Sequence, residues 1–305
     1  MKSALLIVNP SSGRERATDA SESLVAGIRQ RYDEVTVVVT AGDGDAGDAA
    51  RRAAAEGCST IFVAGGDGTL NEALNGVAAV SALDRIRFGI VPLGTGNDFA
   101  AALGIPTDLD AALQTLLAER ELRVDVGVVN GRCFLNTSGG GYIAEVSVAV
   151  TPQLKTIAGR LAYLIGGAQA LIEYDPVRAT VTAEPGELRL GLRMYAFAVC
   201  NSRLIAGGRI IAPEAVIDDG LLDVCVIEGM RAIEFVALAR KVAGGEHVND
   251  SRVRYLQART VQIEFDRETL INTDGEVMSA TRADYSVMPR AATFLAGDAP
   301  FAAGM

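Results

Sequence analysis

Short apolar runs recur along the whole chain, but what separates them changes near Val124. Before that point, compact runs alternate with stretches whose apolar residues return every three or four positions. Ala4–Asn9, Glu34–Thr40, Ile61–Ala64 and Phe88–Pro92 read as strands, and Arg14–Arg31, Ala46–Glu56, Leu70–Val77, Phe99–Leu103 and Leu109–Ala118 read as helices. This alternation predicts an α/β domain: an open parallel sheet with helices on both faces and ligands at the carboxyl ends of its strands. Beyond Val124 the runs are short and rich in β-branched residues: Val124–Val129, Arg132–Asn136, Val177–Thr182, Leu188–Leu192, Ala196–Asn201, Leu222–Glu228, Thr260–Phe265 and Thr269–Ile271. They predict an antiparallel β domain, interrupted by helices at about Gln153–Ile172 and Ala232–Val242. The boundaries that follow are 1–124 and 125–288. Whether the strand-like Tyr285–Pro289 and the tail 289–305 return to the first domain is left open by the pattern.

Composition narrows the function classes. The chain has 305 residues, 49% of them hydrophobic, which suits two domains of ordinary size, each with its own core. It contains no uncharged apolar stretch long enough to span a bilayer, and it opens directly into a strand, so we expect neither a transmembrane segment nor a signal peptide. Cys58, Cys133, Cys200 and Cys225 are widely spaced and read as thiols in a reducing cytoplasm. His247 is the only histidine, which nearly excludes His-based triads and His-rich metal sites, and it reads as a loop residue without chemistry. The net charge of −10 argues against a nucleic-acid partner and against strong adhesion to anionic membranes.

Candidate chemistry gathers at the predicted strand ends: Asn9-Pro10-Ser11-Ser12-Gly13, Thr40, Gly65–Thr69 and Pro92–Asn97. The richest is Gly65-Gly66-Asp67-Gly68-Thr69-Leu70-Asn71-Glu72, a glycine turn between a strand and a helix. Its helix start offers N–H groups and a positive dipole end to a phosphate, and its glycines let the backbone come close. Asp67 would repel a phosphate unless it helps place Mg²⁺; the plainer alternative is a helix cap. No Lys closes the loop, and Arg14 and Arg16, which could contribute, read first as solvated helix-start residues. Asp218, Asp219 and Asp223 cluster around Gly220, ordinary chemistry for a solvated turn. Asp274-Gly275 reads as a hairpin turn between Leu270–Asn272 and Val277–Ser279, with Glu276 just beyond it.

In order and spacing these segments resemble the diacylglycerol kinase catalytic-domain family, specifically the soluble bacterial lipid kinases. Further matching segments are Leu93-Gly94-Thr95-Gly96-Asn97-Asp98-Phe99, Asn136 to Gly141, Gly159-Arg160-Leu161-Ala162-Tyr163, Ala212-Pro213-Glu214-Ala215, Asp218 to Asp223 and Asp274-Gly275-Glu276. The resemblance implies an α/β nucleotide domain like that of NAD kinases, then a β-sandwich, with the active site in the cleft between them. It implies ATP held by Asn9, Pro10, Ser11, Ser12, Gly13, Thr40, Gly66, Asp67, Gly68, Thr69, Leu70, Asn71, Glu72 and Thr95. It also implies Mg²⁺ at the carbonyls of Val216 and Leu221 with the Asp219 carboxylate, and Glu276 as general base with Asp67 assisting.

The implied partner is a lipid acceptor met at a membrane surface, with oligomeric state open, a homodimer included. The stripe Leu154, Ile157, Leu161, Leu164, Ile165, Ala168, Leu171 and Ile172 reads first as core and second as a lip for acyl chains. Gly166-Gly167 would suit a movable gate there, and Lys155 and Arg160 could meet headgroups. Two other functions compete: a kinase of a smaller soluble alcohol, and a nucleotide-binding regulator without turnover.

Overall fold

The computed structural model describes residues 2–12, 22–149, 174–185, 188–298 and 301–302. Gly13, Arg14, Arg16 and the expected helix Gln153–Ile172, with Lys155, Arg160 and Gly166-Gly167, lie outside the described residues. Of the expected helix Arg14–Arg31, residues 22–28 are helical.

The first half is built as its pattern dictates. β1 (Ser3–Val8) lies between β2 (Glu34–Val39) and β3 (Thr60–Gly65), and β4 (Arg87–Pro92) flanks β3, all in parallel. Leu5, Leu6, Ile7 and Val8 are all buried, because a parallel strand covered on both faces has no solvent side. Each such aliphatic contributes about 1.5–3 kcal/mol on burial. The connecting helices are α1 (Asp45–Ala55), α2 (Asp67–Ala78), α3 (Asp98–Ala102) and α4 (Leu109–Leu117).

The second half is antiparallel and longer in the strand than its sequence suggests. It comprises β5 (Glu121–Val129), β6 (Arg132–Phe134), β7 (Thr137–Gly141), β8 (Val177–Glu184), β9 (Leu188–Cys200), a small hairpin of β10 (Leu204–Ile205) and β11 (Arg209–Ile210), β12 (Leu222–Glu228), β13 (Val253–Ala258), β14 (Thr260–Thr273) and β15 (Glu276–Leu295). Two helices, α5 (Tyr142–Ala149) and α6 (Ala232–Val242), pack on it. One core lies among β8, β9, β12, β14 and β15, and a second, aromatic one gathers Tyr142, Tyr195 and Phe235.

Several elements depart from expectation for identifiable reasons. The run Arg132–Asn136 is not one strand: β6 stops at Phe134, and β7 begins at Thr137 and carries three glycines. A loop-like glycine run is a central strand here because Phe197 occupies the space beside it; a Cβ on Gly140 would sit 2.5 Å from that ring. The runs Leu188–Leu192 and Ala196–Asn201 are one strand, since exposed Arg193 lies on its solvent face. Thr260–Phe265 and Thr269–Ile271 also join, across a register shift between Glu264 and Thr269 that hides the alternation. β15 runs 20 residues and stitches the halves together. It pairs with β14 and β5, then reaches β4 in parallel at Thr293 and Phe294. There Phe294 stacks on Phe88 at 5.2 Å and meets Phe99 edge-on at 5.1 Å.

His247 is no loop residue on the surface. It is fully buried in a short 3-10 turn, with Nε2 3.0 Å from the Ile211 carbonyl oxygen. Burial lowers the pKa of its imidazole. The four cysteines are free, and burial pushes the Cys133 thiol up to about 11, so it stays protonated and inert.

Candidate active site

The strand ends of the first half do converge. Asn9 follows β1 and ties its loop to the glycine turn: Nδ2 donates to Thr69 Oγ1 at 2.8 Å, and Oδ1 accepts from Ser11 N at 2.9 Å. Thr40, buried, donates its N–H to the Val8 carbonyl. The loop before α1 is held by Glu72, whose Oε2 accepts from Gly44 N at 3.0 Å. Leu93 N donates to Gly65 O, bringing the loop after β4 onto the glycine turn. Contact is so close that a Cβ on Gly94 would lie 2.6 Å from Gly66 Cα, so only glycine fits. Pro10, Ser11, Ser12, Gly68 and Thr95 lie on or near this surface, whereas Leu70 and Asn71 are buried, so their side chains face inward.

Asp67 is the first residue of α2, and Gly66 is its cap. Its carboxylate does cap a helix, but another one: Oδ2 accepts from Asp98 N at 3.1 Å and Oδ1 from Phe99 N at 3.0 Å. Asp67 thus satisfies two orphan N–H groups at the start of α3, where the dipole favours a negative charge. Asn136 Nδ2 adds a third donor at 3.3 Å, from the second half of the chain. Asp98, buried beside it, accepts from Gly207 N at 3.1 Å and Gly208 N at 2.7 Å, both in the β10–β11 turn. Burial raises the Asp98 pKa, with the Asp67 charge adding to the rise and the two N–H donors opposing it.

From the second half, the turn between β14 and β15 meets α2. The Asp274 carboxylate accepts from three consecutive backbone N–H groups, Leu135 at 2.7 Å, Asn136 at 3.2 Å and Thr137 at 2.9 Å. Asn71 Nδ2 donates to it as well, at 3.2 Å, from α2. Burial pushes its carboxyl up to about 6 against the pull of those donors. Asn71 and Asn75 also bond the backbone of Cys133, so α2 and β6 are sewn together.

Glu276, two residues on, is different. Its side chain is 50% exposed, and its nearest cation is Arg132 Nη2 at 3.8 Å. Glu72 has its pKa raised first by burial, with the Gly44 N–H opposing, and then by the charge of Glu276. Glu276 and Glu72 thus feel each other's charge, although the two are about 200 residues apart in sequence. The Arg132 Nε is buried with no hydrogen-bond partner.

The acidic turn at 218–223 is more than a solvated loop. Asp125, fully buried, accepts from Gly220 N and Arg290 N, each at 2.6 Å. Asp219 Oδ1 accepts from Leu221 N at 2.9 Å, and burial raises its pKa, with Asp218 adding to the rise. Among the described residues no group of three or more His, Cys, Asp or Glu side chains forms a metal cage. The donors expected at this turn, two carbonyls and one carboxylate, are hard oxygens, which fits Mg²⁺, an ion that keeps several waters and uses few protein carboxylates. Asp223 serves a different purpose. It accepts from Tyr255 Oη at 2.5 Å, and burial pushes its carboxyl up to about 6.

Sequence reasoning passed over Asp98, Asp125, Asp274 and Arg132 as site residues. Asp98 and Asp274 lay inside motifs that were read for other members. Asp125 and Arg132 carry no local signal, because their partners come from remote strands.

Comparison with known proteins places the chain in a family. Residues 3–129 match the family described as diacylglycerol kinase catalytic domain, and residues 138–296 match the YegS C-terminal NAD kinase beta sandwich-like domain. The diacylglycerol kinase of Bacillus subtilis is 35% identical over 277 residues, covering 90% of each chain. That of Staphylococcus carnosus is 32% identical over 275 residues, covering 90% of this chain and 89% of its own. A diacylglycerol kinase crystal structure from Bacillus anthracis superimposes with a TM-score of 0.76 at 23% identity, covering 98% of both chains, and supports the fold. A second structure from that organism reaches a TM-score of 0.83 at 26% identity, covering 98% of this chain and 96% of its own. The chain belongs to the diacylglycerol kinase catalytic-domain family, built as a two-domain α/β and β-sandwich fold, and is a phosphotransferase with an alcohol acceptor.

Proposed function

We propose that the protein transfers the γ-phosphate of ATP to the hydroxyl of diacylglycerol or a closely related lipid, in a Mg²⁺-dependent reaction. The observation that carries this reading is the half-exposed Glu276 carboxylate, on a hairpin whose neighbouring Asp274 is fully engaged and is bonded to Asn71 of α2, the helix that begins at Asp67. The Bacillus and Staphylococcus relatives are diacylglycerol kinases, which supports the same class of acceptor.

In this reading Glu276 accepts the proton of the acceptor hydroxyl as that oxygen attacks the γ-phosphorus and the bond to the leaving ADP oxygen breaks. The transition state is loose, so positioning and charge neutralisation carry most of the rate enhancement, and the base adds about 10²–10⁴-fold. In this reading ATP is held at Asn9 to Gly13, Thr40, Thr95 and the run Gly66–Glu72, of which Leu70 and Asn71 are buried and support the turn from within. Asp67 retains acceptor capacity beyond its three donors and would hold Mg²⁺ through water. Asp219 with the carbonyls of Val216 and Leu221 would hold a second ion that ties the 218–223 turn. Bound at the phosphates, Mg²⁺ supplies neutralisation of their charge.

Residues 1–124 serve as the nucleotide domain and 125–288 as the lipid-facing domain, with the described part of the tail 289–305 returning to the first. Support for that return comes from the pairing of Thr293 with Arg87 and from the bond of Phe301 N to Ala102 O. A nucleotide donor and a lipid acceptor together imply work at the cytoplasmic face of a membrane. No described helix is long and apolar enough to cross one.

The test is transfer of label from γ-labelled Mg²⁺-ATP to a panel of dispersed lipids and soluble alcohols. Label in diacylglycerol or a near relative is expected. Label confined to a soluble alcohol would replace the acceptor, and ATP binding with no transfer to any member would contradict the reading.

A further inference from the structure

We propose that Asp274 is a positioning residue for the reaction, fixing the turn that carries Glu276 and tying it to the glycine turn that carries Asp67. The inference rests on the assignment of Glu276 as base. A hairpin turn alone does not require this side chain. Gly275 N already donates to Asn272 Oδ1 at 2.8 Å, and Asp-Gly suits the turn through backbone conformation, with φ at +47° and +101°. A left-handed residue without a side-chain role would more cheaply be glycine.

The Asp274 carboxylate instead reaches out of its own hairpin. It gathers the N–H groups of Leu135, Asn136 and Thr137, which join β6 to β7, and the Asn71 amide of α2. Its own N–H donates to Thr137 O at 3.0 Å, so the turn is gripped from both sides. Asn136, held by its backbone on Asp274, sends its side chain to Asp67. One side chain thus connects Glu276, the β6–β7 link, helix α2 and the cap of α3. Those parts come from both halves of the chain, and their spacing sets how far the base stands from the phosphates.

Misplacing a reacting group by about 1 Å can cost about 10²-fold in rate. The experiment compares D274N, E276Q and the double variant in steady state with Mg²⁺-ATP and dispersed diacylglycerol. Asn keeps the shape but turns one acceptor oxygen into a donor facing donors. D274N is expected to lower kcat by about 10²-fold while KM for ATP holds, and the double variant to be no slower than E276Q alone. Parental kcat in D274N, or losses that multiply in the double variant, would overturn the positioning role and leave Glu276 as base. Parental turnover in E276Q would overturn the base assignment and this inference with it. Should D274N fail to fold, N71A removes the amide donor to Asp274, together with its bonds to Cys133 O and Asn75, and leaves the backbone grip on Asp274. It is expected to lose less kcat, again without adding to E276Q; multiplying losses would overturn the proposal.

Discussion

Two acidic turns, one from each half of the chain, are joined through α2, and only the second also carries an open carboxylate. In the glycine turn, Asp67 accepts from two backbone N–H groups and one side-chain amide. In the hairpin turn, Asp274 is bound still more completely, yet Glu276 beside it is half exposed, with Arg132 at 3.8 Å as its ion-pair partner among the described residues. A carboxylate engaged by backbone donors organises the chain around it. One that keeps its lone pairs open to solvent is ready to take a proton.

Substitutions can break or sharpen that contrast. The largest effect is expected from Glu276→Gln, a loss of turnover of about 10²–10⁴-fold with the melting temperature unchanged, since this exposed group holds nothing in place; differential scanning calorimetry beside the transfer assay checks both. Asp67→Ala should show the reverse emphasis. Losing the cap on α3 costs about 1–2 kcal/mol of stability, read from denaturant unfolding, together with weakened use of Mg²⁺-ATP. Stability unchanged in that variant would mean that the α3 cap carries no weight.

A smaller effect concerns pH. The folded-state pKa of His247 is lowered by burial, so the unfolded chain takes up its proton first. Stability contributed by neutral His247 is present above about pH 6.5 and falls as pH drops through that value. The loss continues until the folded imidazole itself protonates. Comparing unfolding of the parent with His247→Gln between pH 7 and pH 5 isolates this contribution: the gap between them should shift in favour of the variant as pH falls. A gap independent of pH would contradict it. The smallest effect is expected from Arg132→Met. A partly exposed pair at 3.8 Å is worth about 0–1 kcal/mol, so a large drop in melting temperature would mean Glu276 is tied after all.

Much of the fold is legible from pattern. The parallel order of β1 to β4 follows from apolar runs separated by amphipathic ones, and the glycine turn announces its own position. Legibility ends where a residue's environment comes from distant segments. β7 is missing from the expected strands because its glycines carry no apolar signal, and the close packing that explains them, Phe197 above all, comes from other strands. β14 reads as two pieces because polar residues fill its register shift. Asp274 looks like a turn former, since its donors at 135–137 lie far upstream. The distinction between an engaged and an open carboxylate is invisible in the sequence, where both are an acid beside a glycine.

The most direct test of this division between carboxylates measures ATP affinity by calorimetry and phosphoryl transfer to diacylglycerol for the parent, E276Q and D67N. E276Q is expected to bind ATP as the parent does but to lose about 10²–10⁴-fold in turnover, while D67N loses stability and Mg²⁺-ATP use together. Parental turnover in E276Q, with activity abolished in a stably folded D67N, would contradict it and move the proton-accepting role to Asp67.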